Sequence, residues 1–358
     1  MILSVSEAAK ILQQGGIVAF PTETVYGLGA DATNEQAINK VFQAKNRPKD
    51  NPLICHFYSI AQIQQFVPKI PHALNIIIQK LTPGPVSFLL PLLPNSPLLA
   101  ATSGQPSVIV RIPNHPLALE LIEKVNNPIA APSANTSGRS SGTNPEMIEK
   151  DLGSVIDGIV DGGQSAVGLE STIVDCRSFF TNTADKPIIT ILRPGAIGRT
   201  ELEGIIQKYH LSVHIIEPES PSSSITSNEV TTTPGAKYPH YSPQTPVYNW
   251  SAITKAHLST PFVVFYVEEY KLSVESDLKN KFHQYSVSDG ASEHLFKNIP
   301  FICLGSLDNI EEIARNLYKN LISLDQQNVA VSFFYPVVWP QSSLGKAIEN
   351  RLSKVVRG

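Results

Sequence analysis

The hydrophobic periodicity of this 358-residue chain stops between Glu217 and Thr245, and this interruption constrains the possible fold most strongly. The interval PESPSSSITSNEVTTTPGAKYPHYSPQT is dense in Ser, Thr and Pro, which is typical of a linker. At roughly 100 to 200 residues per domain, the length of the chain predicts about two domains. We therefore predict a domain over 1–216, a linker over 217–245 and a second domain over 246–358.

The composition is that of a folded protein without a general affinity for polyanions. Hydrophobic residues make up 42% of the chain, which is enough for packed cores. Charged residues make up 16%, below the roughly 25% of an average soluble domain, and the formal net charge is −3. Recognition of a nucleic acid or a phosphate must therefore come from a local cluster of Lys and Arg.

Short β-type runs alternate with amphipathic helical segments through the first domain, which indicates an α/β fold. Thr33 precedes Gln36 by three residues and Thr143 precedes Glu146 by three, so both threonines are predicted to cap helices. The predicted strands span residues 17–20, 53–58, 86–91, 107–112, 128–131, 155–160, 171–176 and 189–193.

The second domain repeats the α/β pattern on a smaller scale. A small, open and largely parallel sheet of Rossmann-like architecture is expected. No GxGxxG motif follows any of its predicted strands, so nothing in the sequence marks a dinucleotide site. Strands are predicted at 262–267, 301–305 and 329–335, with helices near 310–324 and 343–356.

The cysteines and the N-terminus favour a cytoplasmic protein with reduced thiols. Cys55, Cys176 and Cys303 lie 121 and 127 residues apart, which excludes CxxC pairs and cysteine-based zinc sites. Each borders apolar β-type residues, so all three are predicted to pack in cores. The first 16 residues predict an amphipathic helix rather than a signal peptide. The most apolar stretch, residues 86–94, is too short and proline-broken to span a bilayer.

Two segments near the N-terminus could bind a small polar ligand. PTETVYGLGAD (21–31) directly follows a predicted strand, and its hydroxyls, carboxylate and glycines suit a ligand-contacting turn; an ordinary strand-to-helix loop is the alternative. AKNRPKDNPLICH (44–56) places Lys45, Arg47 and Lys49 at a predicted helix C-terminus. These cations could simply favour the helix dipole, or they could clamp a polyphosphate.

Three later segments offer further polar groups. APSANTSGRSSGT (131–143) could present backbone NH and hydroxyl donors to an anion, or could be a solvated Ser-rich loop. GLESTIVD and ILRPGAI place Ser171 and Arg193 at the edges of apolar strands. GRSSG matches the hydrolase pattern GxSxG only weakly, because Ser140 does not directly follow a strand.

Taken in order, PTETVYGLGAD, KNRP with NPLICH, PSANTSG, STIVD and RPGAI resemble the YrdC-like family of threonylcarbamoyl-AMP synthases. The resemblance covers roughly residues 1–210, with the KxR motif intact as Lys45/Arg47 and the SxN motif as Ser133/Asn135. The layout is similar to the long, two-domain form of the family, although Pro239 stands where the linker usually has an Arg. The implied fold is a twisted mixed sheet with flanking helices and a concave basic face, followed by a smaller Rossmann-like α/β domain.

This resemblance implies an enzyme that joins L-threonine, bicarbonate or CO2, and ATP into threonylcarbamoyl-AMP and pyrophosphate. Mg²⁺ is expected to bind as its complex with ATP. The product would pass to a threonylcarbamoyl transferase for tRNA N6-threonylcarbamoyladenosine modification. By motif, the expected threonine-binding residues are Thr24, His56, Arg111, Ala131 and Ser171. The expected ATP-binding residues are Lys45, Arg47, Asn51, Ser107, Ser133, Asn135, Ser141, Arg193 and Tyr241, with Lys45 and Arg47 as the catalytic cations and no protein metal ligand.

Two other functions stay open from the sequence. A non-catalytic module for double-stranded RNA or tRNA could share the fold, but it would not need a polar threonine pocket. A carbamoyl-transfer domain of a maturation protein normally comes with zinc-finger and acylphosphatase-like segments, which this sequence lacks. The linker segment PGAKYPHYSP (234–243) is predicted either to pack on a domain surface or to close over the ligands as a lid that contributes Tyr241.

Overall fold

The computed structural model describes residues 1–181, 186–217, 241–254, 256–259, 261–284, 299–327 and 329–357. The described residues divide into two compact units, and each unit has its own sheet and core. The first contains residues 1–137 and 141–217, and the second contains residues 138–140 and 241–357. Most of the predicted linker, residues 218–240, lies outside the described residues, so the predicted domain boundaries remain predictions.

The first unit is built on a mixed sheet, to which eleven strands belong among the described residues. Its spatial order is β1-β8-β2-β3-β7-β4-β6-β5-β9-β10-β11, with β4 at the centre. Parallel and antiparallel pairs alternate irregularly; β4 is parallel to β6 and antiparallel to β7. This confirms the predicted mixed sheet. The strands are β1 (Ile2–Leu3), β2 (Val18–Phe20), β3 (Gly27–Asp31), β4 (Ile54–His56), β5 (Val86–Pro91), β6 (Ser107–Arg111), β7 (Ile129–Ala130), β8 (Gly158–Val160), β9 (Thr172–Asp175), β10 (Ile188–Arg193) and β11 (His214–Ile216).

The helices of this unit flank the sheet, and the longer buried ones each turn an apolar face towards the core. In α1, for example, Val5, Ala8, Ala9 and Leu12 recur at helical spacing on the buried face. The described helices are α1 (Val5–Gln13), α2 (Glu35–Ala44), α3 (Ile60–Ile63), α4 (His72–Leu81), α5 (Pro116–Val125), α6 (Pro145–Leu152) and α7 (Arg199–Lys208).

The predicted threonine caps of two helices are wrong by one residue. Asn34 caps α2, because its Oδ1 accepts from the amides of Gln36 and Ala37 at 3.0 and 3.1 Å. Asn144 caps α6 by accepting from the amide of Met147 at 2.9 Å. In both sequences a threonine stands directly before an asparagine, and Asn is the stronger capping residue.

The segment predicted as a turn over PTETVYGLGAD contains a strand at its second half. Gly27–Asp31 forms β3 and pairs antiparallel with β2. A Cβ at Gly29 would come within 2.7 Å of Ile129 Cγ2 and 2.9 Å of the Phe20 ring. The glycine therefore allows neighbouring side chains to pack against the strand, whereas the sequence predicted a ligand-contacting turn there.

The second unit has a five-stranded parallel sheet among its described residues, with the order β14-β13-β15-β12-β16. Its core contains Val264 and Phe333 from the sheet and Leu278 from a helix. This confirms the predicted small Rossmann-like domain. The strands are β12 (Val247–Asn249), β13 (Phe262–Tyr266), β14 (Phe301–Cys303), β15 (Val331–Phe334) and β16 (Val356–Arg357), and the described helices are α8 (Lys271–Gln284), α9 (Ile310–Leu324) and α10 (Ser343–Val355).

The three cysteines differ in their exposure. Cys55 and Cys176 are fully buried, as predicted. The prediction for Cys303 is wrong: the residue is exposed, because it ends the edge strand β14, whose residues are only partly covered. In the part of the chain that the structure describes, no helix is long and apolar enough to cross a membrane.

Candidate active site

His56 and Arg111 lie side by side at the centre of the large sheet. They are register partners at the carboxyl ends of the parallel strands β4 and β6, so their side chains share one face. Both are almost fully buried. Burial, together with the positive charge of Arg111, lowers the pKa of His56 to about 3. The imidazole is therefore neutral near pH 7.

Arg111 contacts the carboxylate of Glu23, which lies in the predicted ligand-contacting turn but was not among the predicted site residues. Its Nη2 lies 2.8 Å from Oε2 of Glu23, and both side chains are buried. Neither oxygen of Glu23, and neither Nε nor Nη2 of Arg111, makes a well-directed hydrogen bond to any described residue. The contact is therefore an ion pair whose partners keep unused hydrogen-bonding capacity.

The loop that carries Glu23 and Thr24 is fixed by a neighbouring segment. The amides of Val167 and Gly168 donate to the carbonyls of Glu23 (2.7 Å) and Thr24 (3.0 Å). Thr22 Oγ1 donates to the Val25 carbonyl at 2.6 Å, and it also lies 2.9 Å from Thr24 Oγ1. Thr24 itself is fully buried. The predicted threonine-binding hydroxyl thus lies in an enclosed loop whose backbone is held by hydrogen bonds.

The other predicted threonine-binding residues also lie on the strands of this sheet or beside them. The Ala131 amide donates to the Ile54 carbonyl at 2.9 Å, which places its backbone beside β4. Ser171 Oγ lies 2.8 Å from Ser87 Oγ, and Arg193 donates to both the carbonyl (3.0 Å) and the hydroxyl (3.2 Å) of Ser171. A predicted ATP-binding residue, Arg193, therefore contacts a predicted threonine-binding residue directly.

Lys45 joins the KxR and SxN motifs. Its buried ammonium donates to the carbonyls of Ser133, at 2.6 Å, and of Asn135. The amide of Ser137 donates back to the Lys45 carbonyl at 2.8 Å. Burial, reinforced by the charge of Arg47, holds the pKa of Lys45 well below its usual range. Lys45 thus supports the backbone of the polar loop.

The remaining predicted ATP-binding residues of the first unit form smaller groups. Arg47 donates to the carbonyls of Asn51 and Pro52 at 3.1 and 3.0 Å. Ser141 donates to Glu170 at 2.5 Å. Ser107, at the opposite end of β6 and about 13 Å from Arg111 by strand rise, has no hydrogen bond to another predicted site residue among those described.

Tyr241 belongs to the second unit. Its ring stacks on Tyr318 with centroids 5.4 Å apart, and the guanidinium of Arg351 lies 5.5 Å from the ring centre. Its carbonyl accepts from Ser140 Oγ at 2.8 Å, so this hydroxyl of the GxSxG match serves a backbone contact. The predicted lid residues 234–240 lie outside the described residues.

The carboxylates near the polar loop are already engaged. Asp151 accepts from the Thr136 amide at 2.7 Å, and Glu170 accepts from Ser141. No cluster of three or more His, Cys, Asp or Glu that could hold a metal occurs among the described residues.

Three residues in this region were not among the predicted site residues: Glu23, Glu170 and Ser87. Glu23 and Glu170 lie within the quoted motifs PTET and GLEST, directly beside predicted site residues. The signal for both is the rule that a buried cation is usually paired with an acidic side chain, because an unpaired charge is rarely buried. Ser87 lies in an apolar strand and carries no comparable signal.

Buried cations, carboxylates and hydroxyls on a mixed sheet define an α/β protein with a polar site for a small charged ligand. A family model described as "Telomere recombination" matches residues 10–195, and one described as "Threonylcarbamoyl-AMP synthase, C-terminal domain" matches residues 197–355. The chain belongs to the threonylcarbamoyl-AMP synthase family.

Individual proteins of this family are similar to the chain over almost its whole length. The chain is 35% identical to the threonylcarbamoyl-AMP synthase of Bacillus subtilis (strain 168), over 99% of this chain and 93% of that protein. It is 36% identical to the synthase of Pyrococcus abyssi, over 97% and 92% respectively. The crystal structure of P. abyssi Sua5 complexed with L-threonine matches with a TM-score of 0.76 and 34% identity, covering 98% of this chain and 93% of that one.

Proposed function

We propose that this protein is an L-threonylcarbamoyladenylate synthase, a nucleotidyltransferase that forms threonylcarbamoyl-AMP and pyrophosphate from L-threonine, bicarbonate or CO2, and ATP. The observation that carries the proposal is the direct contact of Lys45 with Ser133 and Asn135, which unites the two sequence motifs. It occurs in a chain that matches threonylcarbamoyl-AMP synthases over almost its whole length.

The threonine half of the site is proposed around Arg111. A guanidinium can bind an α-carboxylate through two parallel hydrogen bonds. Neutral His56 and buried Thr24 can exchange hydrogen bonds with the substrate hydroxyl. The Ala131 backbone and the Ser171 hydroxyl complete the proposed pocket. The P. abyssi relative was crystallised with L-threonine, which supports an amino-acid pocket in this fold.

The ATP half is proposed around the buried cations Lys45, Arg47 and Arg193. A carbamate oxygen of N-carboxythreonine attacks the α-phosphorus, a new P–O bond forms, and the bond to the departing pyrophosphate breaks. Negative charge grows on the phosphate oxygens, so fixed cations lower the barrier by positioning and electrostatic stabilisation. We assign the remaining nucleotide contacts to Asn51, Ser107, Ser133, Asn135, Ser141 and Tyr241. Mg²⁺ carried with ATP would neutralise phosphate charge.

We further propose that the product passes to a threonylcarbamoyl transferase that modifies tRNA. An acyl adenylate is a mixed anhydride and hydrolyses readily, so a short path to its acceptor would limit loss. The absence of cysteine-pair motifs suits the reducing cytoplasm, where we place the protein.

The experiment that tests this function is release of pyrophosphate from ATP in the presence of bicarbonate, with and without L-threonine. Release that depends on threonine supports the synthase. The alternative function, passive binding of double-stranded RNA or tRNA, predicts a gel shift with tRNA and no threonine-dependent pyrophosphate, and that pair of results would replace the proposal.

A further inference from the structure

We propose that Glu23 is the residue that receives the α-ammonium of the amino-acid substrate, opposite Arg111, which receives its carboxylate. This inference rests on the proposed function, because it specifies how the same site holds threonine. Glu23 and Arg111 are in charge contact at 2.8 Å inside the first unit.

The unused bonding capacity of this pair is the observation that points to a ligand. Both Glu23 oxygens, and Nε and Nη2 of Arg111, are buried without a directed hydrogen bond to described residues. Leaving buried charged groups unsatisfied is costly, and each such group in a native protein calls for a partner. A carboxylate has about four acceptor sites and a guanidinium has five donors. A polar ligand would satisfy them.

The pair also matches an α-amino acid in the signs of its two charges. An amino acid carries an ammonium and a carboxylate on one carbon, so a single molecule can engage both partners at once. A lone anion could accept from the free Arg111 donors but would leave both Glu23 oxygens without a hydrogen bond, and a lone cation would do the reverse. Thr24, the next residue in the chain, is fully buried, and its hydroxyl is the group that we assign to the substrate side chain.

Neither neighbouring histidine carries a positive charge that would compete with the substrate ammonium for Glu23. His56, the register partner of Arg111, has a pKa lowered to about 3 by burial. His115 lies near Glu23, which acts to raise its pKa, yet burial outweighs this effect and keeps the pKa below its usual range. Both imidazoles are therefore neutral near pH 7, and neither supplies a competing cation to Glu23.

Calorimetry with two ligands tests the assignment. L-threonine carries both charges, whereas (R)-3-hydroxybutanoate keeps its carboxylate and hydroxyl but lacks the ammonium. Glu23→Gln preserves side-chain shape and removes the charge. We expect it to weaken threonine binding by about thirtyfold or more, the effect of removing one partner of a buried charge pair, and to leave 3-hydroxybutanoate binding unchanged or tighter.

Glu120→Gln is the matched control, because Glu120 is an exposed carboxylate on α5 that pairs with Lys124. It should change neither affinity. Equal weakening of both ligands by Glu23→Gln would assign Glu23 a purely structural role and overturn the inference. If the Glu23 variant does not fold, the wild-type protein decides: it should prefer threonine over 3-hydroxybutanoate by at least about thirtyfold, and affinities within threefold of each other would contradict the inference.

These outcomes are separable from the proposed function, because they measure binding. Threonine binding that depends on Glu23, without threonine-dependent pyrophosphate release, would uphold the inference and refute the synthase. Pyrophosphate release together with unaltered threonine binding in Glu23→Gln would do the opposite.

Discussion

The ammonium of Lys45 donates a 2.6 Å hydrogen bond to the carbonyl of Ser133, 88 residues further along the chain. This bond links the end of α2 to the polar loop after β7, so two sequence motifs act as one structural element. The buried lysine therefore holds the loop whose hydroxyl and amide groups we propose to contact ATP.

Arg47→Ala should weaken ATP binding far more than threonine binding. The change removes a charge-assisted contact worth about 1.5 to 3 kcal/mol, or roughly ten- to a hundredfold in affinity. Calorimetric titration with ATP measures the effect. Lys49→Ala is the control, because Lys49 belongs to the same basic segment but is exposed. Unchanged ATP affinity in a folded Arg47→Ala protein would show that the arginine has a structural role, as in its contacts to Asn51 and Pro52.

The enzyme should discriminate strongly between L-threonine and L-valine, which is nearly isosteric but lacks the hydroxyl. A pocket that hydrogen-bonds this hydroxyl leaves buried polar partners unpaired with valine, so kcat/KM should fall by up to about 10⁴. Serine keeps the hydroxyl and should be rejected less sharply. Pyrophosphate release with each amino acid measures the ratio, and similar rates with threonine and valine would mean that the pocket is apolar.

His56 should make the protein less stable in mild acid. Its folded pKa of about 3 lies below the value near 6.5 of an unfolded histidine, so below pH 6.5 the unfolded chain binds a proton that the folded protein does not. The free energy of unfolding should therefore fall by up to about 1.4 kcal/mol per pH unit between pH 6.5 and 3 from this residue.

Urea denaturation of the wild type and His56→Gln at pH 7, 6 and 5 measures this contribution. The wild type should lose stability more steeply than the variant as the pH falls. His210→Gln is the control, since His210 is exposed and should leave the slope unchanged. Parallel stability profiles for the wild type and His56→Gln would show that His56 is protonated in the folded protein.

Cys303 should be the cysteine that reacts in the folded protein. It is exposed, whereas Cys55 and Cys176 are buried, and burial raises the pKa of the Cys55 thiol to about 12. Because the thiolate is the reactive form, a soluble thiol reagent should modify Cys303 first and the other two only in denaturant. Peptide mass mapping identifies the labelled site. Labelling of Cys55 in the native state would contradict the described core.

Several parts of the fold could be predicted from the sequence because local pattern and tertiary packing agree there. The run from Val86 to Pro91 is apolar and bounded by prolines, and it forms the predicted strand β5. The predicted helix over 310–324 matches α9. Five ordered motifs were enough to identify the family.

Other features depended on contacts that no local pattern encodes. β3 was missed because its glycines are required by Phe20 and Ile129, which come from other strands. Glu23 was not predicted as a site residue because it pairs with Arg111, which lies 88 residues away in the sequence. Cys303 was predicted to lie in the core because the sequence does not show which strand lies at a sheet edge.

The most direct test of the central claim follows the atoms of all three substrates into one product. The purified protein is incubated with ATP, L-threonine and ¹³C-bicarbonate, and the products are analysed by mass spectrometry. The account predicts a compound that contains AMP, threonine and one ¹³C carbon, formed together with pyrophosphate and absent when threonine is omitted. Pyrophosphate without such a compound, or no reaction that depends on threonine, would contradict it.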